Sequence, residues 1–346
     1  MSSHNFTEKL VDLLTANKPG QGQGNAIFLN YDAKFISTNY QNEILPHPGI
    51  LYSPIADFDG LKGKKFTTEQ LPGIFDRTQN ATREWQEQSD KVFAAFSKTG
   101  KANKNGQMIR PVSVDVKEDN IHFNVQKCGY FDQVATHLGL DYKEKPEDTS
   151  LREMLGKDYP GRLPPLEDGR LSNSFGVGMM LFYKEKGSFI PCVYKRTNDV
   201  AVFANRPNCT ASGAVDWPED NTVAMPDTVT ARICTELKEE TGLTGDEITN
   251  LQPVFIGREL ARGGKMQLFY AATTEMPRDE IADRFKKNGR AARKAGVQEF
   301  ELQLEQNKVD VLPSPEELSH FLGKAGMAPE GIANLYYSLP YLKQQP

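Results

Sequence analysis

The chain has 346 residues, 38% hydrophobic and 25% charged, with a formal net charge of −5. That composition excludes disorder and gives no global reason to expect nucleic acid or an anionic membrane as partner. No run approaches the roughly 18 apolar residues of a transmembrane helix, the N-terminus reads neither as a secretory signal nor as a transit peptide, and the expected setting is soluble and cytoplasmic. Cys128, Cys192, Cys209 and Cys234 share no C-x-x-C spacing and the histidines are scattered, so neither a disulfide framework nor a zinc pattern is visible.

At this length two domains are expected, 1–170 and 171–346. In chain order, residues 5–16 read as an amphipathic helix with Phe6, Leu10, Leu13 and Leu14 on one side. Gly20, Gly22 and Gly24 precede a strand, Ala26–Asn30; a phosphate-cradling loop would follow one, so they read as a linker. Asp57 and Asp59 form a D-x-D of the kind common in turns. Thr82–Phe96 reads as a helix, Met108–Val116 and Asn120–Val125 as strands, and Phe131–Leu140 as a helix. Lys, Glu, Asp and Pro crowd residues 141–173, which places the domain junction near 170.

The second half is better patterned. Gly176–Tyr183 and Phe189–Lys195 form a hairpin about residues 185–188, and Cys209–Val215 is a further strand. Thr228–Thr241 is a helix, started by Pro226 with Asp227 as cap and stopped by Gly242. Leu251–Glu259 and Met266–Thr273 are strands about an Arg262–Lys265 turn. Pro277–Lys294 is helical, Val297–Leu304 a strand and Pro315–Leu322 the start of another helix. The basic residues Arg284, Lys286, Lys287, Arg290, Arg293 and Lys294 read as a solvated helix face. Strands mixed with a few helices give an α+β or α/β sandwich.

Within the helix that Gly242 ends, Val229, Ile233 and Leu237 are four apart and form the buried stripe. Glu236 and Glu239 lie to one side of it, and Glu240 falls at its edge, where a carboxylate is costly unless paired or metal-bound. A divalent cation would relieve three crowded carboxylates, and oxygen ligands suit Mg2+ or Mn2+. A solvated acidic face partnered by Lys238 and Arg232 explains the spacing as well.

The run Glu236-Leu237-Lys238-Glu239-Glu240-Thr241-Gly242-Leu243 resembles the second half of a Nudix box, G-x5-E-x7-R-E-U-x-E-E-x-G-U with U a bulky aliphatic residue, and Gly213 and Glu219 have the spacing of its first half. The resemblance covers roughly residues 172–346 and implies a Nudix-like α/β/α sandwich behind a separate mixed α/β N-terminal domain. Two departures stand out: fifteen residues separate Glu219 from Thr235 where the family has seven, and Thr235 replaces the arginine that orients the glutamates. Arg232, one turn before Glu236, can substitute for it.

By resemblance, Glu236, Glu239, Glu240 and the Gly213 carbonyl hold metal, with Arg232 completing the catalytic set. The implied activity is hydrolysis of a nucleoside diphosphate linked to another group, or a similar small diphosphate. The alternative is a Nudix-like ligand-binding or regulatory module with little turnover; isoprenyl diphosphate isomerisation ranks last for want of a placed cysteine. Lys195 and Arg196 are either contacts to substrate phosphates or strand-end charges. Trp217 either stacks on a base or caps the core. Glu299 or Glu301 is either a distal base or part of a solvent-facing edge. The N-terminal half is open to roles in substrate contact, partner binding or a homodimer surface.

Overall fold

The computed structural model describes residues 33–46, 50–79, 81–100, 104–185, 188–197, 206–295, 297–300 and 327–345. The expected helix 5–16, the glycines 20–24, the strand Ala26–Asn30, Glu301 and the helix Pro315–Leu322 lie outside them.

In chain order the elements are α1 (Ala33–Asn39), β1 (Tyr52–Asp57), α2 (Phe58–Leu61), β2 (Lys65–Ile74), α3 (Arg83–Ser97), β3 (Gln107–Val116), β4 (Asn120–Gly129), α4 (Tyr130–Ala135) and α5 (Leu151–Asp158). They continue with β5 (Gly176–Glu185), β6 (Ser188–Pro191), β7 (Tyr194–Arg196), β8 (Pro207–Asn208), β9 (Ala211–Ala214), α6 (Asp227–Thr241), β10 (Thr249–Glu259), β11 (Lys265–Thr274), α7 (Arg278–Ala295), β12 (Val297–Phe300) and α8 (Pro329–Leu342).

The largest sheet has the order β1-β10-β11-β5-β6, with β9 paired to β5 beside β6. It is mixed: β5 runs parallel to β11, and its other pairs are antiparallel. Its edge strand β1 comes from the first half of the chain, with Tyr52 opposite Glu259. A second sheet, β2-β4-β3, is formed wholly from the first half, and a third joins β12, β7 and β8.

Alternation along β5 builds the layers. Val177, Met179 and Leu181 share one core with Val229, Ile233 and Leu237 of α6 and with Ile109, Ile121 and Phe123 of the second sheet. Met180 and Phe182 point the other way, into a core closed by Ala333, Leu335 and Tyr337 of α8. The result is a mixed α/β molecule with helices on both faces of the main sheet, the expected α/β/α sandwich. Among the described residues no helix is long and apolar enough to cross a membrane.

Three details depart from the expected elements. The helix after β4 ends at Ala135, five residues earlier than the pattern suggests. The run after the 185–188 hairpin is two strands, broken at Cys192 and Val193. The charge-rich stretch 141–173 contains α5, which Ser150 and Glu153 start with a reciprocal capping box. Asp57 caps α2, accepting from the Gly60 N–H at 3.0 Å, which is the local role expected of a turn carboxylate.

Candidate functional site

Helix α6 carries the glutamates because its stripe is strictly apolar. Val229, Ile233 and Leu237 are fully buried, each contributing about 1.5–3 kcal/mol. The helix starts differently from expectation. Pro226 occupies the cap position with helical backbone, and no side chain caps the first turn. The Thr228 hydroxyl accepts from the Ala224 N–H at 3.0 Å, so Asp227 sits inside the first turn, where its charge meets the helix dipole. Gly242 ends α6 at φ +83°, and a side chain there would collide with Asn288 of α7. Asn288 in turn donates to the Glu239 carbonyl at 3.0 Å.

The turn of helix before Gly242 sorts the three glutamates. Glu236 and Glu240 are each only 5% exposed, whereas Glu239 stands on the exposed side. Gly213, on β9 opposite Val177, has no side chain for a reason: a Cβ there would lie 1.7 Å from the Glu236 carboxylate. Glu236 therefore rests against the strand backbone. Its other side is held by Arg232, whose guanidinium donates to it across one turn. Arg232 is itself anchored, with Nε donating to the Ala214 carbonyl at 3.1 Å and Nη1 3.7 Å from Asp216. Thr235 is exposed, and its hydroxyl donates to the Ala231 carbonyl, away from the glutamates.

Glu240 accepts from the Ser212 N–H at 2.9 Å. Ser212 Oγ accepts in turn from Arg196 Nη1 and Asn208 Nδ2, both at 3.3 Å. Burial pushes the Glu236 carboxyl up to about 7; Arg232 opposes this, and Glu239 and Asp216 add to it. Glu240 is pushed well above the carboxylate range by burial and then by Glu236, against Arg196. Ser212 and Asp216 escape a sequence reading because only the fold of β9 and its loop brings them to the helix.

The remaining candidates divide. Arg196 approaches the carboxylates, and its Nε is buried with no hydrogen-bond partner among the described residues. Lys195 points to the opposite face of the strand by alternation and lies in register with Glu299 of β12, a residue whose backbone alone is described. Trp217 is taken up by the second sheet, where the Lys127 ammonium lies 5.0 Å from its ring centre. Glu219 is exposed in a turn beyond it.

A hard divalent cation fits the donor chemistry of this turn. Two buried, mutually repelling carboxylates gain from a cation between them, and Mg2+ keeps several waters when protein ligands are few. Among the described residues no three His, Cys, Asp or Glu side chains converge as a ready-made metal group.

No protein-family model and no curated protein matches the sequence. Solved structures similar to it include a protein of Deinococcus radiodurans, at 13% identity over 44% of this chain and 82% of that one, with TM-score 0.26. An Ap4A hydrolase of C. elegans is similar at 15% identity over 44% of this chain and 98% of its own, with TM-score 0.22. The Nudix domain of Shewanella oneidensis NrtR, solved with ADP ribose, is similar at 20% identity over 30% and 62%, with TM-score 0.21. At these TM-scores the likeness carries no argument about the site, whose reading rests on its own residues.

Proposed function

We propose that the chain is a divalent-metal-dependent hydrolase of a small diphosphate, a nucleoside diphosphate linked to a second group being the substrate class. One observation carries this reading: the Glu236 carboxylate lies against Gly213 of one strand while Arg232 grips it from its own helix. That unites the glycine, the glutamates and an orienting arginine in one place. Mg2+ or Mn2+ would be held by Glu236 and Glu240, with Glu239 and the Gly213 carbonyl as further ligands, and would supply charge neutralisation and an activated water.

The chain's own groups do the rest. Arg232 fixes the direction of Glu236, and the Ser212 N–H fixes that of Glu240. Without metal the Glu236 carboxyl is raised to about 7, so a cation bound there would displace a proton near neutral pH. Arg196, whose Nη1 donates to Ser212 Oγ at 3.3 Å, brings positive charge beside the carboxylates, suited to an anionic phosphate. Glu239, exposed and apart from the buried pair, favours a second reading in which the module binds its ligand and turns over little.

The test is phosphate release from a panel of diphosphates that includes ADP-ribose, with Mg2+ and with EDTA. Chelation should abolish cleavage, and Arg232→Ala should slow it by roughly a hundredfold, the cost of misplacing a catalytic group by about 1 Å. Thr235→Arg should leave the rate near wild type, because that position faces solvent. Binding of ADP-ribose with no metal-dependent cleavage across the panel would select the binding module instead.

A further inference from the structure

The loop between Gly213 and α6, longer than the family spacing, is fastened to the second sheet. The Ile109 N–H donates to the Val215 carbonyl at 3.0 Å and the Trp217 N–H to the Gln107 carbonyl at 2.9 Å. Lys127 Nζ and Trp217 Nε1 both donate to Asn221 Oδ1 at 3.1 Å, and the Met225 N–H donates to Thr68 Oγ1 at 2.9 Å. Gln70 of β2 makes two bonds at once. Its Nε2 donates to the Asn221 carbonyl at 2.9 Å, and its Oε1 accepts from the Val223 N–H at 2.8 Å. One primary amide thus offers the loop the donor and acceptor that a neighbouring strand residue would offer.

The other end of the same loop holds the arginine. Asp216 bridges to Met108 of β3, and Ala214 and Asp216 together anchor Arg232, which grips Glu236. We propose that Gln70 is a positioning residue of the box site: by fixing Asn221 and Val223 it sets the loop whose first residues aim Arg232 at Glu236. Its consequence for metal rests on the diphosphate reading above; its consequence for Arg232 does not. Gln70 is exposed, so the core does not depend on its side chain. This separates positioning from stability.

The experiment uses the full chain and the variants Gln70→Ala, Gln70→Glu and, as control, Glu69→Ala, an exposed neighbour on the same strand whose carboxylate lies 3.9 Å from His122. Hydrogen exchange at Arg232 Nε is followed by NMR without metal, Mn2+ affinity by titration, and stability by melting. Gln70→Ala should speed exchange at Arg232 and weaken Mn2+ binding by about tenfold, as loss of a supporting contact does, while melting close to the control. Gln70→Glu, which keeps the acceptor for Val223 and loses the donor to Asn221, should fall between, and it decides the matter if the alanine variant does not fold. Arg232 exchange equal to wild type in the Gln70 variants, or equally faster in Glu69→Ala, overturns the proposal. A wild type that binds no Mn2+ sinks the diphosphate reading, and Gln70 is then judged on Arg232 exchange alone.

Discussion

Two of the regions where this molecule buries polar groups satisfy them in different ways. Behind α5, Arg152 donates to both oxygens of Asp141 at 2.6 and 2.8 Å, to the Tyr40 hydroxyl at 2.7 Å and to the Ala261 carbonyl at 2.6 Å. Arg110 spends its guanidinium on the carbonyls of Leu166, Asp168 and Leu171. His137 is within 2.5 Å of the Arg262 carbonyl through Nδ1, and its Nε2 accepts from the Asn173 N–H at 2.8 Å. In α6, two buried carboxylates sit together, one held by a guanidinium and the other by a backbone N–H, and both resist ionisation. Polar groups fully partnered by the chain staple segments together, whereas the carboxylates of α6 remain costly to ionise, which is what the proposal of a bound cation rests on.

The largest expected effect tests the staple side. Arg152→Ala strips Asp141, Tyr40 and two carbonyls of their buried donor and should destabilise the protein by about 3–5 kcal/mol, read from urea unfolding. A loss no larger than that of an exposed arginine such as Arg83 would erase the distinction. On the other side the sign reverses. Glu240→Gln keeps an acceptor for the Ser212 N–H and removes the cost of burying an ionisable carboxyl, so metal-free stability should rise by about 0.5–2 kcal/mol while the stabilisation by Mg2+ shrinks. A variant less stable than wild type without metal would mean Glu240 is a staple after all.

The smallest effect is a difference in pH dependence. Burial depresses His137 from 6.5 to about 3, so its contribution is complete above pH 6.5 and is lost progressively as pH falls toward 3. Glu236 is raised from 4.5 to about 7, so its contribution is complete below pH 4.5 and is lost as pH rises through 7. Between pH 4.5 and 6.5 the two oppose each other, and from 6.5 to 7 only the Glu236 loss remains. Glu236→Gln should lessen the decline toward neutral pH, leaving the part that Glu240 contributes, and keep the acid limb intact. Melting curves of both proteins across this range, with and without Mg2+, check it; an unchanged neutral limb in the variant counts against the buried-carboxylate account.

The same contrast marks what the sequence makes legible. The Val229, Ile233, Leu237 stripe, the Gly242 stop and the placing of Glu240 at the core edge follow from a period of 3.6 residues alone, as does the reach of Arg232 to Glu236. Periodicity could not separate Glu239 from Glu236, because which flank is covered depends on β9 arriving beside the helix. β1 and β2 carry little alternation: the polar run of β2 includes Pro72, and β1 is defined by its neighbour β10. α5 had a readable signal in the Ser150 and Glu153 pair, outweighed by the surrounding charge. α8 is apolar on most sides and interrupted by Pro340, so no single face announces it.

Pairing Tyr52 with Glu259 has a consequence for the order in which the chain can assemble during synthesis. About 200 residues must leave the ribosome between β1 and its partner, and a contact that distant closes late and slowly. Until β10 emerges, β1 has no neighbour in the main sheet, although β2, β3 and β4 can already pair with one another. The nascent chain therefore carries an uncommitted strand edge for most of its translation, a natural target for chaperone binding and for mispairing between neighbouring chains. A sheet edge that closes only after most of the chain has been made is thus formed by the first strand among the described residues.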